Sequence, residues 1–281
     1  MAKSSANFLL VLLFSVSFLV ISSCRKNDRA QDTELQSARD MSLALSAWND
    51  IFRQTEILAG SQADLNAIPA PFIYTNNCTS VAVNPALPNT SFPKVFTMDY
   101  GNTNCQGPDG AFRRGQIIAT LSGNYRDSLT TIVITTNNYF LNDNQISGTY
   151  TILNKGRNRA GHPNFSESVA NGRSARPHSN PVSWNSKFTR EWIHGDTTST
   201  VFDDVYLLSG NATGTTSESN TFAVFINTPL RFTMNCPWFE SGQLYLNPAG
   251  LAHRFIDFGT GACDNTAAVW IFGAKSTLYL D

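Results

Sequence analysis

The chain has 281 residues with 20 basic and 21 acidic side chains, a formal net charge of −1 at neutral pH. That near balance offers no electrostatic footprint for nucleic acid. Charged residues are only 15% of the chain, against roughly 25% in an average globular protein, and 27 Asn and 27 Thr carry much of the polarity, a composition that favours strands and turns over helices.

Residues 1–23 read as a lipoprotein signal peptide. Lys3 supplies a basic start, and "FLLVLLFSVSFLVI" (8–21) is an apolar run of signal-peptide length, short for a membrane span. It ends in Ile21-Ser22-Ser23-Cys24, which looks like a bacterial lipobox. That pattern predicts cleavage before Cys24, acylation of Cys24 and a durable membrane anchor. The alternative is an ordinary secretory signal that happens to end near a cysteine. Residues 24–33 are polar and form the expected tether. The implied location is the outer membrane of the cell envelope, with the periplasmic or surface face left open.

Residues 34–60 carry the one convincing helical pattern. Leu35, Ala38, Met41, Leu45, Trp48 and Phe52 recur at intervals of three or four, Thr33 is placed to cap the start, and Gly60 to end it. The amphipathic stripe is expected to dock on the rest of the chain, or else on a partner. "PAP" at 69–71 then breaks the chain.

From residue 72 to 281 alternation of period two dominates. "GQIIATLSGNY", "TTIVITTNNYF", "QISGTYTIL", "VSWNSKFTREW", "TFAVFIN", "LRFTMNCPW", "GQLYLNP", "RFIDFG" and "AVWIFG" are strand-like, and Asn/Gly/Asp turns separate them. With about twelve such strands and no crossover helix among them, the pairing is antiparallel. The fold class is mainly β, a multi-stranded sandwich or a strongly curled sheet with one N-terminal helix. Ser-Gly recurs inside or beside strands at 122–123, 147–148, 209–210 and 241–242, where glycine marks bulges or bends.

Beyond Cys24 there are four cysteines, and in an exported protein an even number reads as a disulfide framework. Three pairings are open. Segments 78–105 and 236–263 form a weak internal repeat, each bounded by cysteines 27 apart, which favours Cys78–Cys105 with Cys236–Cys263. Zinc spacing is absent. Each repeat also holds Asp-aromatic-Gly, at "MDYG" and "IDFG". Packing, turn and clamp account for the phrase without chemistry; the functional alternative makes Asp99 and Asp257 converging carboxylates. Asp203 and Asp204 are two further candidates, although neighbouring strand residues face opposite sides.

Trp184, Phe188 and Trp192 share one strand face with Arg190. On a solvated face they would stack sugar rings, with Arg190 adding a cation–π contact; on a buried face they are core, with the arginine snorkelling out. Residues 155–181 hold Lys155, Arg157, Arg159, Arg173 and Arg176 against Glu167 alone, and read as a solvated loop or a basic patch. There is no HExxH, no G-x-S-x-G and no Gly-rich phosphate loop, so no metal, cofactor or catalytic residue is assigned.

The combination "FPKVFTMDYGNTNC", "RRGQI", "SGNY", "WNSKFTREW", "DDVYLLSG", "PLRFTMNCPW" and "IDFGTGACD" resembles a family of uncharacterised Bacteroidota lipoproteins, over most of the chain from about residue 78. The resemblance implies an envelope location and no activity. The sequence-level expectation is a lipid-anchored, ligand-binding or structural β-protein whose partners are the membrane and a glycan or envelope protein. The alternative is a glycan-processing hydrolase with paired carboxylates.

Overall fold

The computed structural model describes residues 32–60, 78–86 and 89–280. The expected signal peptide, Cys24, the tether up to residue 31 and the break at 69–71 lie outside the described residues. From Glu34 onward the described chain forms one compact unit. One helix, α1 (Gln36–Gly60), is followed by fourteen strands. The first six are β1 (Ser80–Asn84), β2 (Lys94–Asp99), β3 (Cys105–Gln106), β4 (Phe112–Leu121), β5 (Thr131–Leu141) and β6 (Asn144–Arg157). Then come β7 (Pro163–Ala175), β8 (Val182–His194), β9 (Val205–Thr215) and β10 (Thr221–Thr233). The last four are β11 (Ser241–Pro248), β12 (Arg254–Thr260), β13 (Thr266–Ile271) and β14 (Ala274–Tyr279).

All pair antiparallel in a single sheet that follows chain order from β1 to β14, with the short β3 lying off the path beside β4. The sheet is not closed into a barrel. Of the two architectures that the alternation allowed, the molecule adopts the curled sheet. Two strands differ from the sequence reading. The segments "TFAVFIN" and "LRFT" belong to one strand, β10, with register shifts between Ile226 and Arg231. The basic segment 155–181 is not one loop: β6 runs to Arg157 and β7 takes Pro163–Ala175, where Phe165, Glu167 and Val169 face inward and the pattern breaks as the register slips between Val169 and Gly172.

The curl follows from its glycines. Gly115, Gly148 and Gly242 each sit at a register shift, the bulge that bends a strand and tightens its twist. Gly148 has φ +144°, and a Cβ there would lie 2.9 Å from Gly172 Cα and 3.0 Å from the Trp48 ring. The missing side chain lets β6 approach both β7 and α1.

The helix lies inside the curl. Trp48 meets Tyr150 of β6 edge-on, and Phe52 meets Tyr206 of β9 and Phe232 of β10. Its apolar stripe is buried from Ala38 to Phe52, and so is its polar face: Asp40, Asn49, Asp50, Arg53, Gln54 and Glu56. The amphipathic helix, expected to dock on the rest of the chain or else on a partner, packs on the strands as a core helix, and the sheet meets its polar side chains as well. At its start the Glu34 carboxylate, not Thr33, accepts from the Ser37 backbone N–H at 2.7 Å.

The disulfides are Cys78–Cys105 and Cys236–Cys263, as the equal spacing favoured. Each closes a loop with a sequence separation of 27. The chain-entropy account makes each worth roughly 3 kcal/mol. Replacing either pair by serines is expected to lower stability by about that amount, read from urea unfolding curves fitted with their own m-values, since the freed unfolded chain exposes more surface.

Candidate functional site

The repeated carboxylates are structural. Asp99 ends β2 opposite Gln116 of β4; Gln116 Nε2 donates to Oδ2 and the Gly101 N–H to Oδ1, both at 2.8 Å. Asp257 lies in β12 opposite Gln243 of β11. Gln243 Nε2 donates to its Oδ2 at 2.9 Å and the Gly259 N–H to its Oδ1 at 2.8 Å. The two devices match atom for atom, yet the glutamine comes from the following strand in the first and the preceding strand in the second. Gln116 and then the Gly101 N–H hold the Asp99 carboxyl below its ordinary value. Asp99 and Asp257 sit on separate strand pairs, Asp99 at the end of β2 and Asp257 within β12, each bonded to its neighbouring glutamine and to the glycine two residues on.

The aromatic row is core. Trp184 is fully buried, Phe188 and Trp192 nearly so, and the Trp192 ring stacks on Tyr206 with centroids 5.6 Å apart. This removes it as a sugar-stacking platform. Arg190 does not snorkel out; it points inward and is 2% exposed. Its Nε donates to Glu167 Oε1 at 2.5 Å, its Nη2 to Oε2 at 3.2 Å, and its Nη1 to Asn49 of α1 at 3.2 Å. The Tyr150 hydroxyl donates to the same Glu167 at 2.7 Å. The guanidinium also lies 3.7 Å from the Phe52 ring centroid. Burial opposes the charge on Arg190, and the Glu167 carboxylate more than offsets it, so its pKa is raised.

Similar inward arginines receive the rest of the helix. Arg113 of β4 forks onto Asp50 (2.5 and 3.1 Å) and onto Asp109 (2.6 and 2.9 Å), and Tyr139 donates to Asp50 at 3.0 Å. Arg53 reaches Asp109 and the Met234 carbonyl. Arg176 binds Asp40 at 2.6 Å, and Arg254 binds Glu34 at 2.9 Å. Beside Arg53 and Arg113 opens a cavity of about 400 Å³, walled by Trp238, Leu141 and Leu280. Its two guanidiniums already face two carboxylates.

Toward the helix C-terminus one contact is of another kind. Glu56 is 1% exposed, and neither carboxyl oxygen has a hydrogen-bond partner. Asp204 is fully buried with Oδ1 unpartnered, while its Oδ2 accepts from Tyr206 at 3.4 Å. Burial, and then the Asp204 charge, push Glu56 up to about 8. Burial, and then Asp203, push Asp204 up to about 7. Both acids are thus raised well above the ordinary carboxylate range, Glu56 in part by the charge of Asp204. Asp203 turns away into the loop before β9, where Thr198 donates to it at 2.9 Å. Of the four candidate carboxylates only Asp204 enters a titrating cluster, and its partner Glu56 carried no sequence signal beyond a charge on the helix's polar face.

Among the described residues no group of three or more His, Cys, Asp or Glu side chains is arranged to hold a metal ion. No family model, curated protein or solved structure matches the chain.

Proposed function

We propose that this protein is a lipid-anchored component of the outer membrane that acts by binding, through the outer face of its sheet. The signal-like segment ending at Cys24 and the two disulfides support an oxidising, exported setting. The observation that carries the binding reading is the filled interior. Helix α1 occupies the hollow of the curl and is fastened there by Arg113 on Asp50, Arg176 on Asp40 and Arg190 on Asn49, with Arg254 holding Glu34 just before it, so ligands meet the convex face. On that face, above β8 to β11, lies a shallow depression of about 470 Å³ lined by Asn185, Thr213, Thr221 and Asn247. Amides and hydroxyls of this kind suit a polyhydroxylated ligand.

The anchor is tested in cells: Cys24→Ser is expected to shift the protein from the membrane pellet to the soluble fraction. Retention of the variant in the pellet overturns the lipid anchor. A second reading, glycan hydrolysis, gains from one observation. Glu56 and Asp204 are raised acids of the sort a general acid requires. Their burial beneath the sheet favours binding over that reading. Release of reducing sugar by the wild type that Glu56→Gln abolishes would reverse the preference.

A further inference from the structure

The convex face carries an aromatic row that the sequence reading passed over. In β10 to β13 the inward positions are Val224, Leu244, Ile256 and Val269, all buried. The alternate positions therefore point out. The strand register sets Phe225 opposite Tyr245, Tyr245 opposite Phe255, and Phe255 opposite Trp270. Ring centroids are 5.4 Å apart for Tyr245 and Phe255 and 5.5 Å for Phe255 and Trp270. Phe225 is 54% exposed. Four aromatics on four successive strands make one contiguous strip, larger than the scattered apolar residues a solvated surface carries.

Lysines end the strip. Trp270 lies opposite Lys275 of β14, whose Nζ sits 5.4 Å from the indole centroid. At the other end Phe225 lies opposite Asn211, and Asn211 opposite Lys187 of β8. Neither lysine has an ion pair among the described residues. No carboxylate lies in the row. The nearest, Asp257, is one position along and is tied to Gln243 and Gly259. The depression lined by Asn185, Thr213 and Asn247 runs along the flank of the strip.

The geometry points to a binding site for an acidic polysaccharide laid across the strands, a proposal that rests on the binding reading above. The C–H face of a sugar ring is apolar and packs on an aromatic face, while the rim of hydroxyls needs hydrogen-bond partners. Tyrosine and tryptophan offer both in one side chain. At about 4.8 Å between strands, the seven strands from Lys187 to Lys275 span roughly 29 Å, room for several sugars. The cationic ends and the carboxylate-free strip complement anionic substituents on such a chain.

The test uses the full-length lipid-bearing protein in detergent micelles, with polygalacturonate as the acidic probe and dextran as the neutral one. Polygalacturonate is expected to bind, to be released by added salt, and not to be displaced by dextran. Phe255→Ala and Trp270→Ala are each expected to weaken binding by about tenfold, the scale of truncating a contact anchor. Their side chains point outward, so an unchanged near-ultraviolet spectrum apart from the lost tryptophan and an unchanged unfolding midpoint certify the fold. Lys187→Gln with Lys275→Gln is expected to flatten the salt dependence. Equal affinity of the aromatic variants and wild type overturns the strip, and so does equal competition by dextran. A wild type that binds some other polysaccharide, undiminished in these variants, overturns the strip while the binding reading stands. Silence toward the whole panel overturns the strip, and turnover of the probe overturns the binding reading itself.

Discussion

Arg190→Met is expected to destabilise the protein by about 3–5 kcal/mol, the largest loss we expect from any single substitution. The reason is what remains. Glu167 is 2% exposed, and without Arg190 its charge is left buried with only the Tyr150 hydroxyl as donor. Breaking one half of a buried pair costs about that much because a lone buried charge is worse than no charge. The same logic predicts that Arg190→Met with Glu167→Leu recovers much of the loss, since no charge is left buried alone and only two neutral groups, the Tyr150 hydroxyl and Asn49, lose a contact. Urea unfolding of the wild type, the single variant and the double variant decides the matter. A double variant no more stable than the single one would mean that the contacts of Arg190 with Asn49 and the Phe52 ring, and not the pairing, hold the core.

Stability should also fall as pH rises from about 5 to about 8. In the folded protein Glu56 titrates at about 8 and Asp204 at about 7, against ordinary values of 4.5 and 3.8. Across that window the folded state keeps protons that the unfolded chain has lost, so raising the pH favours unfolding. Below the ordinary values both states are protonated and the contribution is fully present; it is lost as pH climbs through the folded values. For Glu56 alone the shift corresponds to a change on the order of 3–5 kcal/mol. The facing groups are Asp203, Asp204 and Tyr206 on one side and Arg126 and Arg190 on the other. Glu56→Gln should flatten the profile and be more stable than wild type at pH 9. A wild-type unfolding midpoint that is level or rises between pH 5 and 8 would show that the acids are ionised in the fold.

Much of this architecture is legible in the chain. Alternation gives the strands, the Asn/Gly/Asp turns give antiparallel neighbours, and equal cysteine spacing gives the disulfides. The interior of the curl is not legible in the same way. A helix with Asp40, Asp50, Arg53 and Glu56 on one side looks like a surface helix, because period alone cannot say whether water or arginine meets those charges. The clue lay in the strands. Arg190 falls in the same inward phase as Trp184, Phe188 and Trp192, as Arg254 does with Ile256 and Phe258. A charge in the inward phase of a strand asks for a counter-charge inside: Glu167 of β7 supplies it for Arg190 and Glu34, just before the helix, for Arg254, while Asn49 and Asp50 of the helix meet Arg190 and Arg113. The convex aromatics were hidden for a related reason. In "LYL" and "RFID" both faces carry bulky residues, and only the register of neighbouring strands brings Tyr245, Phe255 and Trp270 side by side.

Placing the helix at the centre and first in the chain has a consequence for assembly. Helix α1 is synthesised before any strand, yet its fastenings come from far downstream: Arg53 waits for Met234 and Glu34 for Arg254, 181 and 220 positions later. Arg113 and Tyr150 reach the helix sooner, but its last fastenings close only when those distant stretches have been made. Contacts so distant along the chain slow folding, and they make completion of the polypeptide, not emergence of each hairpin, the event that sets the native state.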